Sequence, residues 1–91
     1  MKTKAAVAKR ALARVSDYKG VFASERGKRV LYDLIANHYV MGSTYSDKPH
    51  EIAFREGQRQ VVLRILTTMK VDQEKIQKLI EESNNYVTAM D

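Results

Sequence analysis

Apolar side chains in this 91-residue chain recur three or four positions apart, and nowhere do they alternate long enough to make a strand. Val30, Leu31, Leu34 and Ile35, with His38, form one such face. Ile52, Phe54, Val61, Val62, Ile65, Leu66 and Met69 form a second, and Ile76, Leu79, Ile80, Val87 and Met90 a third. The spacing predicts an all-α fold. Punctuation divides it into four helices. Ser24 and Asp72 are N-cap residues in front of apolar runs, and the one proline, Pro49, follows the loop-forming stretch STYSDK, where a first helical turn tolerates it. Gly20 and Gly42 are expected to close the first and second helices. The third, from about Pro49 to Met69, is the longest element of the predicted core.

The chain is long enough for one small domain. It has no cysteine, so disulfides and thiolate metal sites are unavailable and a reducing, intracellular setting is expected. Its apolar runs are a few residues long, too short for a spanning helix or a signal-peptide core, so a soluble chain is expected.

Charge is unevenly placed. Residues 1–19 carry Lys2, Lys4, Lys9, Arg10, Arg14 and Lys19 against Asp17 alone, whereas the remainder balances ten basic with ten acidic side chains. The organisation this suggests is a basic amphipathic helical arm over 1–19 and a single helical domain over 20–91. Such a distribution suits a segment that meets an anionic partner. Ala5, Ala8, Leu12 and Val15 share a face of the arm, but small residues offer little burial. The arm therefore orders against a partner or against the rest of the chain. Too few bulky anchors are present for a membrane-surface helix.

Two glycines fall inside helical segments, Gly27 one turn before Leu31 and Gly57 one turn before Val61. A helix-interior glycine costs about 1 kcal/mol relative to alanine, which close approach of a neighbouring backbone can offset. The expectation is a central antiparallel hairpin over about 24–69. Helices two and three would cross at Gly27 and Gly57, with Phe22, Leu31 and Phe54 filling in beside them. The alternative is that each glycine is merely tolerated on an exposed face. Glu56 and Arg59 lie three apart, either as a solvated pair or, with Gln58, as a partly buried fork that fixes helix register, reaching Lys28 or Arg29.

Catalytic and metal chemistry find little support. HEIAF at 50–54 lacks the second histidine of a zinc-protease helix, since Phe54 stands there, and His38 reads as a hydrogen-bonded core histidine. No Gly-rich phosphate loop occurs. No catalytic, metal-ligating or cofactor-binding residue is assigned.

VFASERGKRVLYDLI followed by AFREGQRQVVLRIL resembles the Bbp-nineteen-like phage domain, a family of small tailed-phage proteins. The matching positions are Phe22, Gly27, Lys28, Val30, Leu31, Leu34, Phe54, Glu56, Gly57, Gln58 and Arg59. They cover about residues 18–70, leaving the arm and the last helix outside. The resemblance implies a product of the phage structural gene region, near portal and coat genes, and carries no biochemical activity with it. The functional expectation is a non-enzymatic virion or assembly component, present in the host cytoplasm during assembly. Its arm would contact acidic virion protein or DNA, and the chain itself could assemble into a homo-oligomer. The alternative is a small DNA-binding or host-modulating phage protein.

Overall fold

In the computed structural model, which describes residues 3–40 and 42–90, four helices follow one another: α1 Lys4–Ala23, α2 Glu25–Asn37, α3 Pro49–Thr68 and α4 Gln73–Met90. The described residues contain no strand. The chain is an all-α small bundle.

Local chemistry accounts for the helix starts. The Ser24 hydroxyl accepts from Gly27 N–H at 3.0 Å, and Asp72 Oδ1 accepts from Lys75 N–H at 2.9 Å. Pro49 occupies the first turn of α3. The ends of α1 and α2 differ from expectation. α1 runs straight through Gly20 and stops only at Ala23, where Ser24 in extended conformation breaks the helix and caps the next. α2 stops at Asn37, five residues before Gly42, because Tyr39 takes a positive φ of 61°. That left-handed residue turns the chain as a C-terminal glycine would, at a steric cost of about 1 kcal/mol. Lys70, with φ 60°, does the same just past α3.

One core unites three helices. Leu31 and Ile35 of α2, Val62 and Leu66 of α3 and Ile76 of α4 are buried, with Phe22, Leu34, Leu63, Ile65, Leu79 and Ile80 partly covering them. The closest helix pairing is α2 with α4, and α1 lies against α2 and α3. Ser83, fully buried on α4, donates its hydroxyl to the Tyr32 carbonyl at 2.8 Å. Tyr32 O–H in turn donates to Glu82 at 2.9 Å, and its ring meets that of Tyr86 at 5.7 Å between centroids. Burial first, and then the Glu82 carboxylate, raises the Tyr32 pKa, so the hydroxyl stays protonated as a donor.

The outline is extended. The radius of gyration is 15.5 Å, whereas a compact chain of this length would have one of about 12 Å. The accessible surface is 6913 Å², roughly 1,500 Å² more than a compact monomer of this mass exposes. α1 is one reason, since none of its described residues is buried.

Candidate functional site

Gly27 and Gly57 do not mark one crossing. Gly27 is buried, but what it faces is the end of α1: a Cβ there would lie 1.8 Å from the Val21 carbonyl oxygen and 2.9 Å from Phe22 Cα. Its missing side chain makes room for the sharp α1–α2 corner, whose linker is Ser24 alone. Gly57 faces open space, with nothing within 4 Å of a Cβ position. Phe54, expected to fill in beside it, is 67% exposed. The hairpin with a glycine crossing is therefore corrected to a glycine corner between α1 and α2, while α2 and α3 meet through Leu31, Ile35, Val62 and Leu66.

With no neighbour to accommodate, Gly57 carries only the propensity cost of a helix interior. Gly57→Ala should stabilise the dilute chain by about 0.5–1 kcal/mol. Thermal unfolding would register this as a rise of roughly 2–8 °C in Tm.

The charged side chains around Gly57 hold a loop. Glu56 accepts from the Thr44 hydroxyl and pairs with Arg59 at 3.7 Å, in place of the expected reach to Lys28 or Arg29. Arg55 donates to the Tyr45 carbonyl at 3.0 Å and lies over the Tyr39 ring at 5.3 Å. Glu51 accepts from the Ser46 hydroxyl at 2.6 Å. So Glu51, Arg55 and Glu56 fasten the α2–α3 connection onto one side of α3. Gln58 is half-buried. Neither Arg55 nor the buried Ser83 was singled out by sequence pattern. Ser83 did carry a signal: it lies seven residues after Ile76 and four after Leu79, on the face that α4 buries.

The basic arm is fully displayed. Lys4, Lys9, Arg10, Arg14 and Lys19 are exposed on α1, while Lys2 lies outside the described residues. Of the apolar face, Leu12 is 72% exposed and Ala5 and Ala8 are exposed, leaving Val15, Tyr18 and Phe22 as the partly covered positions. Ion pairs among the described residues are confined to the stretch from Lys48 to Arg59. The cations of α1 are thus available to a partner.

His38 sits half-buried and donates from Nδ1 to the Leu34 carbonyl at 2.8 Å. Among the described residues no three His, Cys, Asp or Glu side chains converge on a metal position, and no helix is long and apolar enough to cross a membrane.

No match was found among curated proteins or among solved structures. The family model described as Bbp19-like phage protein matches residues 18–81. The match begins in the last turns of α1, takes in the corner, the core and the loop clamp, and extends into α4, beyond the limit near residue 70 expected from motif resemblance. Left outside are the free part of the arm and the end of α4, and over some two-thirds of its length this chain belongs to the family of Bbp19-like phage proteins.

Proposed function

We propose that the chain is a non-enzymatic interaction module of the phage particle or its assembly, in the portal or capsid region, docking through α1 onto an acidic virion protein surface. The observation that carries this reading is the exposed set Lys4, Lys9, Arg10, Arg14 and Lys19, without ion pairs among the described residues, on a helix that the body leaves largely bare. A cationic helix of this kind attracts carboxylate-rich surfaces at long range, and its small side chains let a partner backbone come close. Membership of a phage protein family supports a phage setting, to which this reading adds the host cytoplasm during assembly.

The second reading, phosphate binding, rests on the same cations. Five arm contacts to DNA phosphates would lower affinity roughly 500-fold between about 50 and 200 mM salt. The full-length chain and a Lys9→Glu, Arg10→Glu, Arg14→Glu triple variant separate the two. The expected result is co-purification of the wild-type chain with proheads or particles, loss of it in the triple variant, and no DNA retention at near-physiological salt. Absence from every particle fraction, together with salt-sensitive DNA binding lost in the triple variant, would replace this reading with the second.

A further inference from the structure

α3 is apolar on two sides. Val62 and Leu66 face the core, while Phe54 and Val61, 67% and 61% exposed, face away from it. At 100° per residue, His50, Phe54, Gly57, Gln58, Val61, Ile65 and Thr68 fall in one stripe, and none of the seven is an Asp, Glu, Lys or Arg. The helix's Glu51, Arg55, Glu56 and Arg59 lie off this stripe, on the side that includes the loop clamp, and the exposed Arg64 borders its other edge. A surface helix ordinarily presents charged side chains along its outer side, so an outer stripe holding exposed Phe54 and Val61 and no Asp, Glu, Lys or Arg is a surface suited to being covered. The stripe continues past Ile65 into a largely apolar hollow lined also by Tyr18, Phe22 and Val21, the last 61% exposed, with Asp17 at its edge.

We infer that a second copy of this chain covers the stripe, the two α3 helices packing antiparallel about a two-fold axis near Gly57. Phe54 lies three residues before Gly57 and Val61 four after it, so in that arrangement Phe54 of each copy stands opposite Val61 of the other. Gly57, with open space where a Cβ would be, lets the two backbones approach. A two-fold contact must be self-complementary, and an uncharged stripe meets its own copy without repulsion. Two basic arms do not.

Light scattering on the full chain, from micromolar to millimolar concentration, tests this. The mass should rise from 10.4 kDa to twice that value and hold in high salt, as an apolar contact does. Val61→Glu and, separately, Phe54→Glu should keep the chain monomeric throughout with undiminished helical circular dichroism. Arm charge reversal should leave the dimer intact, so failure here and failure of the docking reading are distinguishable. The inference is overturned by a wild-type chain that stays monomeric, by association that survives both substitutions, or by a dimer that salt or arm charge reversal dissolves. Unfolding of either variant would equally overturn it, since the two side chains would then not be free in the monomer.

Discussion

Replacing Gly27 by alanine is expected to lower stability by roughly 3 kcal/mol, at the upper end of the range for overpacked sites. Helix propensity pushes the other way, favouring alanine by about 1 kcal/mol. Geometry decides between them, because the new methyl carbon would sit 1.8 Å from the Val21 carbonyl oxygen and 2.8 Å from its carbon, both backbone atoms of a helix end. A flexible side chain could swing aside, but a helix end cannot move without opening the corner. Ser24 would then lose its two bonds, donation to the Val21 carbonyl at 3.3 Å and acceptance from Gly27 N–H. Chemical denaturation of Gly27→Ala beside Gly57→Ala should give shifts of opposite sign. Equal shifts would refute the assignment of one glycine to a packed corner and the other to open surface.

Leu66→Ala is expected to cost about 2–5 kcal/mol. Leu66 is completely buried where the side chains of α2, α3 and α4 meet, and among the described residues the buried apolar core has four other members: Leu31, Ile35, Val62 and Ile76. Partly buried side chains such as Leu34, Leu63, Ile65 and Ile80 pack against the cluster and can close in on some of the vacated volume, so the middle of that range applies. Melting should fall by on the order of 10–20 °C, with the loss spread over all three helices because they share the cluster. A drop of only a few degrees would mean that the core does not unite the bundle.

What the sequence made legible follows the range of the interactions involved. Ser24, Pro49 and Asp72 begin helices through bonds or ring constraints within three residues of themselves, so a single sequence contains the whole argument. The helix end at Tyr39 was hidden because tyrosine does not favour a positive φ, whereas the end of α3 was read to within a residue. Tyr39 adopts a positive φ where Arg55, sixteen positions along the chain, covers its ring. The periodic apolar faces located Leu31, Ile35, Val62, Leu66 and Ile76 but also admitted Phe54 and Val61. Periodicity registers how apolar a side is and is silent on what covers it. The same limit applied to the glycines. Their cost pointed to two special positions, and only coordinates could assign Gly27 to the preceding helix and Gly57 to none. Among the charges, Glu56 and Arg59 were recognised as sharing a face, while the Thr44 hydroxyl on Glu56 depends on a loop whose path no local pattern fixes.

The one-residue joint at Ser24 has a mechanical meaning for whatever the chain engages. A polar tether of a dozen residues would let the cations sweep a wide volume and find a target at any bearing. Here they ride on a stiff boom about 30 Å long, pivoted where the chain has almost no rotational slack. Its bearing is set by the body, so an acidic partner of the kind proposed would have to present its patch at a matching distance and angle. Docking of that kind would be selective for spacing.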